Sequence, residues 1–131
     1  MIKYTSKQEM TKILKQITNA DCVVEIDFTN VDDLQMYFHQ IYKTIPIPPE
    51  EKETILTVQY IDVMRDPCYL DGEKMFFILR NFDKFVQKNY GQAMRIIEIF
   101  NEYIIPFWTR EIVKCMVNEK IRDYRVYYTK S

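Results

Sequence analysis

Met75-Phe76-Phe77-Ile78-Leu79, followed at once by Arg80-Asn81-Phe82-Asp83-Lys84-Phe85, is the stretch whose reading decides the fold. An unbroken apolar run has no polar face, so a strand built from it is covered on both sides. A second strand-like run lies upstream at Cys22-Val23-Val24-Glu25-Ile26-Asp27-Phe28. There Val24, Ile26 and Phe28 point one way, and Val23, Glu25 and Asp27 the other. Helix-like segments separate the two runs. This alternation predicts an α/β fold over residues 1–131: a small, partly parallel, three-stranded sheet flanked by four to five helices.

Upstream, residues 6–19 read as a helix with Met10, Ile13, Leu14 and Ile17 on one stripe. Ser6 and Glu9 form its capping box. Between the strands, Thr29 or Asn30 caps a helix over 31–45, with Asp32 and Asp33 in its first turn. Pro46-Ile47-Pro48-Pro49 stops that helix, and Pro49 opens another over 49–65. Downstream of the 74–79 strand, residues 80–88 form an elbow and a helix covers 89–105. Pro106 interrupts it, and Thr109 recaps a helical stripe through Ile121 or precedes a hairpin turning at Asn118-Glu119-Lys120. Residues 124–129 alternate as a terminal strand.

The formal net charge is -1, from 18 Lys and Arg against 19 Asp and Glu. That balance lacks the footprint of a protein that wraps nucleic acid by charge alone. With only two glycines, Gly72 and Gly91, glycine-rich phosphate-cradling loops are excluded. The three cysteines, Cys22, Cys68 and Cys115, are odd in number and far apart, as expected of reduced, core-filling thiols in a cytoplasmic protein. Neither a leader nor an apolar run of about 18 residues is visible.

Catalytic and metal chemistry find no anchor in the sequence, which implies neither an enzyme nor a cofactor. His39 is the single histidine, and no thiol beside it carries a signature of activation. No two cysteines have zinc spacing. Asp62, Asp66, Asp71 and Glu73 are dense, but nothing in their spacing forces convergence on one ion. Two clusters remain as contact surfaces. Glu50, Glu51 and Glu53 open the second central helix and Tyr60 and Asp62 follow on it, an acidic-aromatic face suited to a cationic protein partner. Arg80, Lys84 and Lys88 with Phe82 form a basic-aromatic cluster, the alternative, suited to nucleic acid.

The order strand 22–28, helix 31–45, proline turn, helix 49–65, strand 74–79, helix 89–105, terminal strand resembles the barstar family. Its local echoes are Ile26-Asp27-Phe28 before Val31-Asp32-Asp33-Leu34, Pro48-Pro49 before the second helix, and Phe77-Ile78-Leu79-Arg80-Asn81-Phe82 before the last long helix. Helix 6–19 is an addition. The family's Tyr-Gly-x-Asn-x-Asp-Ala-Leu segment has no counterpart at Glu51–Val58, so the resemblance is one of topology. It implies a short parallel sheet and an intracellular inhibitor or immunity protein that occludes a toxin nuclease. A small nucleic-acid-associated or viral accessory protein and a Tyr-rich structural homo-oligomer are the alternatives the composition leaves.

Overall fold

A computed structural model describes residues 1–45, 47 and 54–131. In chain order the elements are β1 (Ile2–Tyr4), α1 (Lys7–Gln16), β2 (Cys22–Asp27), α2 (Leu34–Thr44), α3 (Thr57–Met64), β3 (Lys74–Arg80), α4 (Phe82–Lys88) and α5 (Tyr90–Ile99). The last of these continues through π-helical turns at Phe100–Ile104 and Phe107–Glu111 into α6 (Ile112–Cys115), and β4 (Asp123–Tyr128) follows. The α/β class agrees with the sequence. Among the described residues, however, the sheet has four strands in the order β1-β4-β3-β2, every pair parallel. The additional strand, β1, is three residues long and too short to show a period of its own.

Strand register explains the core. Val24 pairs with Phe77 and Phe77 with Val126, while Ile26 pairs with Leu79 and Leu79 with Tyr128. Alternation therefore puts Met75, Phe77 and Leu79 on one face and Phe76 and Ile78 on the other. The first face joins the main cluster with Tyr37, Phe38, Tyr60, Ile96, Phe100 and Trp108 from the helices. Phe76 and Ile78 are also buried, outside that cluster, as is Met10 of α1. Right-handed crossovers account for this. Steps from β2 to β3 to β4 move one way across the sheet with their helices on one face. The return from β1 to β2 runs the other way, so α1 crosses the opposite face. Coverage of the apolar β3 run on both sides follows.

Several boundaries move for local reasons. Ser6 caps α1, its Oγ accepting from the Glu9 N–H at 3.1 Å, but the helix ends at Gln16 and buries only Met10 of its stripe. Asp33, rather than Thr29 or Asn30, caps α2, its carboxylate accepting from the Met36 N–H at 2.8 Å. Thr29 is engaged instead with Asp27. The 80–88 elbow is a helix, α4, entered through Asn81 in the left-handed region at φ 57°. Pro106 does not interrupt its helix. The Ile105 N–H reaches Phe100 O, and the Ile112 N–H reaches Phe107 O. Wide turns on both sides thus carry the helix past a residue that lacks an N–H. Thr109 lies inside the second wide turn, where its hydroxyl donates to Ile105 O at 2.7 Å. Residues 116–122 are neither helix nor hairpin; they form a loop turned by Asn118 at φ 66°.

Candidate functional site

Each end of α3 is tied to neighbouring helices. Gln35 of α2 donates from Nε2 to Ile55 O at 2.7 Å and accepts from the Ile55 N–H at 3.0 Å, fixing the chain that enters α3. Gln59 then accepts from the Leu56 N–H at 2.9 Å. At the far end the Trp108 indole donates to Met64 O at 2.8 Å, and Arg65 Nε donates to Tyr103 O at 2.9 Å. The helix is therefore held in one orientation, with a buried side defined by Tyr60 and Met64.

This orientation divides the expected acidic-aromatic face. Asp62 is exposed. Tyr60 is fully buried and cannot meet a partner: its hydroxyl bonds the Tyr37 hydroxyl at 2.6 Å, and its ring stacks on Phe38 with centroids 4.6 Å apart. The reason is periodicity. Residues two apart on a helix point to nearly opposite sides, so Tyr60 and Asp62 cannot share a face. Val58, four residues before Asp62, does share it. Val58 is 59% exposed and Leu56, at the helix N-cap, 57%. Glu50, Glu51 and Glu53 lie outside the described residues. The two exposed aliphatic side chains were not singled out by the sequence. The available signal was the choice of Tyr60 and Met64, four apart, as the apolar stripe of α3, which leaves Val58 and Asp62 outside.

The basic-aromatic cluster is also divided. Phe82 is buried, its ring edge-on to Phe28 at 5.0 Å, so it offers no stacking surface for a base. Arg80 Nε pairs with Glu25 Oε2 at 2.9 Å, and Lys88 Nζ with Asp32 Oδ1 at 3.1 Å and Thr29 O at 3.1 Å. Arg80 and Lys88 are thus each paired with a carboxylate, and Lys84 adds a weaker electrostatic pull on Asp27.

These pairings belong to a polar edge along the carboxyl ends of β2, β3 and β4. Asp27 accepts from the Thr29 hydroxyl at 2.7 Å, the Thr29 N–H at 2.9 Å and the Asn81 amide at 3.1 Å. The Thr29 hydroxyl, then its N–H and the Asn81 amide, hold the Asp27 carboxyl below its ordinary value. Asp83 accepts from the Ser131 N–H at 2.8 Å and its hydroxyl at 2.7 Å. Desolvation pushes the Asp83 carboxyl up, but the Ser131 bonds together with the Lys84 and Asp83 backbone N–H groups outweigh it and the net shift is downward.

The carboxylates near the opposite edge do not converge. Asp71 Oδ1 receives the buried Arg122 guanidinium at 3.1 Å, and Asp66 accepts from the Cys68 N–H at 2.9 Å. Among the described residues, no group of three or more His, Cys, Asp and Glu is positioned to hold a metal ion. His39 lies half-buried on α2. Of the cysteines, only Cys22 is partly buried, and burial pushes its thiol up; Cys68 and Cys115 are exposed, contrary to the core-filling role expected of them. Among the described residues no helix is long and apolar enough to cross a membrane. No family model, curated protein or solved structure matches this chain.

Proposed function

We propose that this chain is a non-enzymatic binding module of the inhibitor or immunity type, working in the cytoplasm by occluding a cationic protein partner such as a toxin nuclease. The observation that carries this reading is the solvent side of α3. Val58 is more than half exposed on the same side as Asp62, and Leu56 is more than half exposed at the N-cap, on a helix anchored at both ends and preceded in sequence by Glu50, Glu51 and Glu53. An interface of this kind takes most of its energy from a few apolar anchors, and charge sets its rate and register. A rigid helix also loses little conformational freedom on binding. The run β2, α2, α3, β3, the later helices and β4, with these three strands adjacent and parallel, is consistent with the barstar-like order.

The test is a tagged pull-down from native lysate with a nuclease-treated control, followed by affinity measurement with the purified partner. We expect a stoichiometric, nuclease-resistant protein whose binding is lost with Val58→Asp and with Glu50, Glu51 and Glu53 all reversed to Lys. Both variants should keep the wild-type melting temperature. Unchanged affinity in both would remove α3 as the interface.

A further inference from the structure

In an open parallel sheet, ligands gather at the carboxyl ends of strands where neighbouring connections leave for opposite faces. Here β1 leaves for α1 on one face and β3 for α4 on the other, with the end of β4 between them. A depression of ≈ 280 Å³ opens at this edge, lined by Lys7, Thr11, Arg80, Asn81, Thr129 and Lys130. Met10 and Leu14 complete an apolar wall. In a chain of net charge -1, the described lining carries three cations and no carboxylate.

The cations retain capacity for a ligand. Among the described residues, Arg80 uses only Nε, toward Glu25, which leaves its two terminal amino groups unpaired. Lys130 Nζ lies 4.7 Å from the Tyr4 ring centroid, a contact that holds the ammonium without neutralising it. The Lys7 ammonium makes no ion pair among the described residues. It occupies the first turn of α1, where the helix dipole favours an anion and Glu9 supplies one carboxylate. Thr129 is 8% exposed. Its Oγ accepts the Asn81 N–H at 3.1 Å, so its own proton is left to donate, and no acceptor for it exists among the described residues. Asn81 sets this geometry. Its left-handed backbone directs its N–H to the Thr129 hydroxyl and the Phe82 N–H to Thr129 O at 3.0 Å.

We infer that this depression binds the phosphate of a small phosphate monoester. Lys7, Arg80 and Lys130 supply charge, the Thr129 hydroxyl donates to a phosphate oxygen, and the Met10–Leu14 wall receives the organic part. The inference is independent of the α3 interface.

Amide chemical shifts followed by NMR at constant ionic strength test it, with inorganic phosphate, AMP and adenosine as probes. Saturable shifts should appear for phosphate and AMP around Lys7, Asn81 and Thr129, tighter for AMP, and be absent for adenosine. Lys7→Gln with Lys130→Gln should weaken AMP at least about tenfold. Both lysines are exposed, so the melting temperature should not change. Thr129→Val should weaken AMP as well. A terminally phosphorylated short oligonucleotide separates the sources: tighter AMP identifies a free nucleotide, and a tighter oligonucleotide identifies a nucleic-acid end. Shifts that do not saturate, that spread over all surface lysines, or that persist in the double variant would overturn the site.

Discussion

Tyr60 shows how far a single residue can be read from its type. Its aromatic ring and polar tip suit an interface, yet the tip finds Tyr37 and the residue is wholly internal. Tyr124 offers a contrast, since its buried hydroxyl has no partner among the described residues. Tyr60→Phe leaves the Tyr37 hydroxyl unpaired and should cost about 1–3 kcal/mol. Tyr124→Phe removes an unsatisfied group and should leave stability unchanged or raise it by about 1 kcal/mol. Urea midpoints of the two variants separate these cases. Asp27 carries a pH dependence. Its folded-state pKa lies below the unfolded value, so its contribution is present above about pH 4 and is lost as pH falls through the folded value. The stability gap between wild type and Asp27→Asn should therefore narrow on acidification, and a gap that widens would contradict the Thr29 and Asn81 bonds. The sequence displayed Asp27 as an outward residue of a strand. It did not display the Asn81 bond, because Asn81 comes from a segment 54 residues away.

The two glycines have different duties at the scale of elements. A Cβ on Gly72 would strike the Cys22 backbone nitrogen and lie 2.9 Å from the Asp21 carbonyl carbon, where β2 begins. Gly72→Ala should destabilise by about 1–3 kcal/mol, since backbone must move. Gly91 in α5 meets nothing within 4 Å, and Gly91→Ala should stabilise by about 0.5–1 kcal/mol. Thermal melts of the pair give opposite signs if the β2 entry is as tight as described. Phe77, fully buried at the centre of β3, should cost about 3–5 kcal/mol as Phe77→Ala. A loss below about 1 kcal/mol would place it at the surface. Strands β2 and β3 were legible because their apolar runs are dense and bounded by turns. The course of the chain through Pro106 was not. A proline normally ends a helix, and the wide turns that accommodate it depend on how Phe107 and Trp108 seat in the core.

For the whole molecule, the consequence of the α3 reading is a rate. Association with a cationic partner should slow as salt rises, while dissociation responds mainly to Val58→Asp. Stopped-flow measurements at two ionic strengths separate the charge of the acidic segment from the contact of the aliphatic anchors. An association rate indifferent to salt would detach the carboxylates from binding. The α/β class, strands β2 to β4 and the presence of helices α2, α3 and α5 were determined by the sequence alone, because burial pattern is a local consequence of side-chain chemistry at periods of two and 3.6. Three features were decided only in the tertiary structure. Edge strand β1 exists because Ile2 and Tyr4 find Val126 and Tyr128, residues far along the chain. The side of α3 that faces water was set by anchors on α2, at Tyr103 and at Trp108. The basic depression gathers Lys7, Arg80 and Lys130 from three separate segments. A charge or a ring has a role only relative to its neighbours, and those neighbours were brought to it by the folding of distant parts of the chain.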